Sequence, residues 1–132
     1  MAYLILFSML FLHLIADYNL QGILAQFKQK KWWKENYPQA QYKNDWMIAL
    51  VEHSFMWSFL VCLPLLGYMG VTSGWNEAGW LFSALIVFNT VIHAMVDNEK
   101  ANKGTFNLIE DQLVHFVQIW ASWMLLFYWG EK

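Results

Sequence analysis

Apolar side chains run almost unbroken through four stretches of this 132-residue chain, and polar side chains gather between them. A helix needs about 20 mostly apolar residues to cross the hydrocarbon core of a bilayer. The stretches at about residues 2–27, 45–68, 78–98 and 108–129 meet that length. The segments between them read as connections. Residues 28–44 (KQKKWWKENYPQAQYKN) are polar, Lys-rich and broken by Pro38; residues 69–77 carry Gly70, Thr72, Ser73, Gly74 and Asn76; residues 99–107 (EKANKGTFN) carry Gly104. Asn44 or Asp45 is placed to cap the second helix, and Asn107 with Glu110 makes a capping-box pattern at the fourth. Trp32, Trp33, Trp46, Trp75, Trp80 and Trp129 fall near the expected helix ends, where interfacial aromatics sit. The expectation is one domain over residues 1–132, an all-α integral membrane four-helix bundle. The first apolar run lacks a positive n-region and an A-x-A site, so it is expected to be a retained helix rather than a cleaved signal.

Composition supports lipid as the solvent. Hydrophobic residues make up 58% of the chain and charged residues 14%, against roughly 25% charged in soluble domains. So short a chain has too little interior to hide that much apolar surface. All eight basic residues are Lys. Phosphate and nucleic-acid sites favour the planar Arg fork. Its absence, with a net charge of −2, points away from nucleic-acid partners and weakens an Arg-clamped phosphatase mechanism. Cys62 is the one cysteine, so metal ligands would have to be His and carboxylate. The first connection holds Lys28, Lys30, Lys31, Lys34 and Lys43, the third holds Lys100 and Lys103, and the second holds none. The positive-inside rule therefore places the Lys-rich connections in the cytoplasm of a bacterial-type inner membrane and both termini outside.

The polar residues inside the stretches carry the candidate chemistry. All four histidines lie there, each near an acid: His13 with Asp17, His93 with Asp97 and Asp111 with His115 at i,i+4, and His53 directly after Glu52. Residues four apart share a helix face. Counted from the Lys-rich ends at 1.5 Å per residue, His53, His93 and His115 fall ~7–12 Å deep, and Asp17 ~15 Å. Ionisable groups cost several kcal/mol in hydrocarbon, so a shared level implies a shared interior site. Interhelical hydrogen bonding explains any single pair; the convergence of all of them favours a site. Imidazole and carboxylate suit zinc, manganese or iron. His13, Asp17, His53, His93, Asp97, Asp111 and His115 are the expected ligands, enough for one ion with supporting acids or for two ions. Haem held by the histidines is the less favoured cofactor, because each ring has a carboxylate beside it.

A bound divalent ion would acidify a water, the chemistry of a metal-dependent hydrolase of a lipid or amphipathic substrate near the cytoplasmic leaflet. Glu52 is then the expected base, with Gln21, Gln112 and Lys100 orienting substrate or ligands. Two other classes use the same residues: a small transporter or ion- or proton-coupled channel, and a structural membrane interaction protein whose polar core fixes helix packing. Membrane lipid is the expected partner. Association into a homo-oligomer is a further expectation, since 132 residues enclose little volume.

Four blocks, HLIADYNLQ (His13–Gln21), ALVEH (Ala49–His53), HAMVDNEK (His93–Lys100) and DQLVH (Asp111–His115), resemble a bacterial and phage membrane family, domain of unknown function 3307. The resemblance covers nearly the whole chain. It implies a polytopic membrane protein in which His13, Asp17, Gln21, His53, His93, Asp97, Lys100, Asp111, Gln112 and His115 occupy shared positions. It brings no established activity; in character the family is loosely similar to small membrane-bound metal-dependent hydrolases. Trp57 departs from the pattern, because relatives often carry a second His there.

Overall fold

The computed structural model describes residues 1–129, with side chains described through Leu126. Among these residues the fold is all-helical, with six α-helices: α1 (Ala2–Leu14), α2 (Leu24–Phe27), α3 (Lys30–Asn36), α4 (Asp45–Ser73), α5 (Trp75–Asn98) and α6 (Leu108–Trp129). Single π-helical turns extend α1 over Ile15–Asn19 and α5 over Glu99–Lys103. Side chains from α1, α4, α5 and α6 share one core, including Ile5, Met9, Trp57, Val61, Leu65, Leu85 and Ile119.

The outer surface is apolar. Phe7, Phe11, Ile48, Phe55, Val87, Met95, Leu113 and Val117 are all exposed, an outward belt that a water-soluble chain of this size rarely tolerates. Three helical stretches are long and apolar enough to cross a membrane: Ala2–Asn19, Ala40–Ser73 and Trp75–Lys103. The fourth expected span, α6, has 22 residues but is not among them; its Glu110, Asp111, Gln112, His115 and Gln118 dilute its apolar character.

Three boundaries differ from the sequence expectation. The first stretch does not run as one helix to Phe27. The π turn closes with the Leu20 amide on the Ile15 carbonyl at 2.9 Å, and Gly22 follows at φ 48°, so the chain turns before α2. Residues 69–77 are not a loop. α4 runs on to Ser73, and only Gly74, at φ 96°, separates it from α5. That left-handed backbone reverses the chain in one residue. Gly70 makes the hairpin close, since a Cβ there would lie 2.5 Å from the Trp75 ring. The first connection is also partly helical, as α3. At α6 the cap forms as the pattern suggests: Asn107 Oδ1 accepts from the Ile109 and Glu110 amides at 2.8 and 3.0 Å, and Glu110 accepts from the Asn107 amide at 2.8 Å. Asn44 begins α4 without a side-chain cap bond.

The two Lys-bearing connections meet. Asn102 accepts from the Lys30 amide at 2.7 Å and donates to the Lys28 carbonyl at 3.0 Å. This junction closes one end of the helix assembly, just above the His/Asp layer.

Candidate metal centre

All seven expected ligands are drawn to one level of the interior, and all four histidine side chains are fully buried. The pairs on the two regular helices face each other as spaced, at distances longer than a hydrogen bond. His93 Nε2 lies 3.8 Å from Asp97, and His115 Nε2 lies 3.9 Å from Asp111. The His13–Asp17 pair does not form as a direct contact. The π turn inserts an extra residue into the helical repeat between them, a local widening common at functional sites. Asp17 is thereby turned toward other helices, with Oδ1 3.4 Å from His53 Nε2 and Oδ2 3.7 Å from His115 Nδ1.

His13 serves a different role. Trp57 Nε1, which can only donate, gives its hydrogen to His13 Nδ1 at 2.8 Å. In neutral His13 the proton is then on Nε2, which donates to Gln112 Oε1 at 3.0 Å. The Gln112 amide in turn donates to Asp17 Oδ2 at 2.7 Å. Trp57, His13 and Gln112 thus form a relay that fixes the Asp17 carboxylate. Trp57 also stacks on His93, with ring centroids 4.4 Å apart, and builds the floor of the layer.

The most crowded atom is His53 Nε2. Around it stand Gln21 Nε2 at 3.1 Å, His93 Nε2 at 3.2 Å, Asp17 Oδ1 at 3.4 Å and Asp97 Oδ2 at 3.5 Å. A ring nitrogen has one hydrogen or one lone pair, so it can satisfy one of these four. The spacing matches another arrangement: two ligands about 2.0–2.1 Å from a tetrahedral ion lie roughly 3.3 Å from each other. Ligating atoms lie within 4.8 Å of one another in three overlapping triads: His13–Asp17–His115, Asp17–His53–His93 and His93–Asp97–His115. Asp111 belongs to none of them. The donor set fits a divalent ion in charge and type. On the far side the fit is incomplete, because a metal-bound imidazole ordinarily donates its other N–H, whereas Nδ1 of His53 and of His93 is buried without a partner.

Two lysines complete the layer. Lys28 Nζ bonds Asp97 Oδ2 at 2.6 Å with both side chains buried, and Lys100 Nζ bonds Asp111 Oδ2 at 2.6 Å. Two of the three carboxylates therefore have a lysine partner. Asp17, the third, has no lysine partner among the described residues and appears in two of the three triads.

Of the residues expected to assist, Gln21, Gln112 and Lys100 reach the layer. Glu52 does not. It is exposed and lines an outer groove with Leu24, Trp33 and Ile48, because its neighbour His53 takes the inward face of α4. Lys28 went unnoticed in the sequence, where it reads as the first residue of a solvated connection. Charge counting offers the signal: three acids at membrane depth require cations, and Lys28 and Lys100 flank the stretches that hold them.

One turn further into the interior lies a neutral layer. Asn89 donates to Ser122 Oγ at 3.0 Å and to the Leu85 carbonyl at 3.1 Å, and accepts from Gln118 Nε2 at 3.1 Å. No family model, curated protein or solved structure matches this chain.

Proposed function

We propose that this chain is a four-helix membrane bundle that holds a divalent cation, zinc, manganese or iron, between Asp17, His53 and His93, with its Lys-rich connections on the cytoplasmic side. The observation that carries this reading is the crowding of four polar atoms within 3.5 Å of His53 Nε2. Two of the four, Asp17 Oδ1 and His93 Nε2, lie with His53 Nε2 within 4.8 Å of one another, so one cation would engage all three ligands where a proton can satisfy only one contact of the ring nitrogen. It would also neutralise Asp17, the buried carboxylate that lacks a lysine. His13, Gln112 and Trp57 are positioning residues, since both nitrogens of His13 are engaged. His115, grouped with His93 and Asp97, forms the neighbouring part of the layer, where a second ion would sit, and Asp111 is held by Lys100.

When bound, such an ion supplies Lewis acidity toward an ester or phosphoryl oxygen and acidifies water. The chemistry proposed is hydrolysis of a lipid or other amphipathic substrate, with Lys28 and Lys100 supplying positive charge beside the layer. A second reading, ion- or proton-coupled transport, draws on Asp97, whose Oδ2 faces both the Lys28 ammonium and His53; such chains serve as relays in membranes.

Elemental analysis of detergent-purified protein tests the metal. The expected result is close to one ion per chain, lost in Asp17→Asn and in His93→Ala while both variants still insert. Metal-free wild-type protein with intact helices would contradict the reading.

A further inference from the structure

A cavity of about 430 Å³ lies between α3 and the start of α4, away from the His/Asp layer. Its wall holds Lys30, Lys34 and Lys43 and no carboxylate. Lys34 and Lys43 have no acidic partner among the described residues, and Lys30 lies over the Trp46 ring at 4.1 Å. The wall is prebuilt from packed aromatics: Trp33 lies 5.7 Å from Tyr37 and 6.4 Å from Tyr42, ring centre to ring centre. Asn44 and Trp46, at the N-terminus of the 29-residue α4, line the same cavity. The helix dipole favours negative charge at such an end, where Asp45 stands in the first turn, so the three lysines carry the attraction for an anion in the cavity.

The surroundings select the kind of anion. Trp33 also borders an adjoining groove lined by Leu24, Phe27, Ile48 and Ala49, with the carboxylates of Asp45 and Glu52 at its side, so the positive charge is confined to the cavity itself. Beyond it α4 exposes Met47, Ile48, Val51 and Phe55. A positive, aromatic pocket thus opens onto an apolar helix face at a membrane-crossing helix end.

We infer that this cavity binds the phosphate headgroup of an anionic phospholipid, with the acyl chains lying against the apolar face of α4. The inference rests on the membrane placement and not on the metal, because none of the three lysines touches the His/Asp layer. Aromatic side chains cover the glycerol region, and the three ammonium groups face the phosphate. A soluble nucleotide, the competing ligand for a basic aromatic pocket, would have no use for the apolar face.

The test uses full-length protein in neutral detergent, titrated with short-chain phosphatidylglycerol, short-chain phosphatidylcholine, inorganic phosphate and adenosine monophosphate. Phosphatidylglycerol is expected to bind at least about tenfold more tightly than phosphatidylcholine. The K30Q/K34Q/K43Q variant should lose that preference while keeping its metal content. K34Q/K43Q, which leaves the Lys30–Trp46 contact in place, should show a smaller loss of the same sign. K31Q, outside the cavity and beside Glu35 at 3.8 Å, should behave as wild type. Equal binding of the two lipids, or a triple variant that keeps the preference, would overturn the inference. So would inorganic phosphate or the nucleotide competing as well as the lipid. Loss of metal from an otherwise lipid-binding protein would count against the metal reading alone.

Discussion

Two polar layers cross the interior one helical turn apart, and they are built on opposite terms. The inner layer, Asn89, Gln118 and Ser122, is neutral, and its amide donors find acceptors on a neighbouring helix and, for Asn89, also on its own. Among its side-chain atoms Gln118 Oε1 is the one without a partner. The outer layer holds three carboxylates, two lysines and four imidazoles. It leaves Asp111 Oδ1, His115 Nε2 and the Nδ1 atoms of His53 and His93 unpartnered while overcrowding His53 Nε2. Neutral amides are enough to join membrane helices. Ionisable groups are far more costly to bury, and the proposed cation accounts for a layer that uses them and still leaves atoms unsatisfied.

That contrast can be broken at its ion pairs first. Lys28→Met strands the Asp97 carboxylate, whose side chain is 2% exposed, and should cost roughly 3–5 kcal/mol in equilibrium unfolding. The Lys28→Met/Asp97→Asn double variant should recover more than half of it; failure to recover would mean that Lys28 acts through packing alone. Lys100→Met should cost less, about 1–2 kcal/mol, because Lys100 is 34% exposed and Asp111 retains the Gln112 amide at 3.2 Å. Asn89→Leu, in the neutral layer, should cost about 1 kcal/mol and leave the metal content unchanged; parallel loss of metal would show that the two layers act as one unit. The smallest effect belongs to Glu52→Gln. Its exposed side chain predicts a stability change within about 0.5 kcal/mol and full metal occupancy.

Helical spacing made much of this site legible. It placed His93 over Asp97 and Asp111 over His115, and depth counting brought the histidines of three helices to one level, with Asp17 and His13 on the first helix counted deeper. What the spacing could not convey was where the helices stop being regular. The π turn at Ile15–Asn19 rotates Asp17 away from His13 and toward His53 and His115, and nothing in IADYN marks that extra residue. Gly74 alone reverses the chain where a nine-residue loop was expected, because one left-handed residue and the close Gly70–Trp75 approach are enough. Lys28 was hidden for a different reason: a long side chain in a polar segment reads as solvated, yet it folds back to a buried acid. Glu52 illustrates the converse. Adjacency to His53 in sequence places it about 100° around the helix, off the inward face.

The central claim is a cation among Asp17, His53 and His93. Anomalous diffraction from crystals of the wild-type protein, collected across the zinc, manganese and iron edges, tests it most directly. A peak about 2.0–2.2 Å from an Asp17 oxygen and from a nitrogen of each of the two rings is the predicted result. A map with no anomalous peak in the layer, and with ordered waters bridging His53 to Asp17 and Asp97, would contradict it.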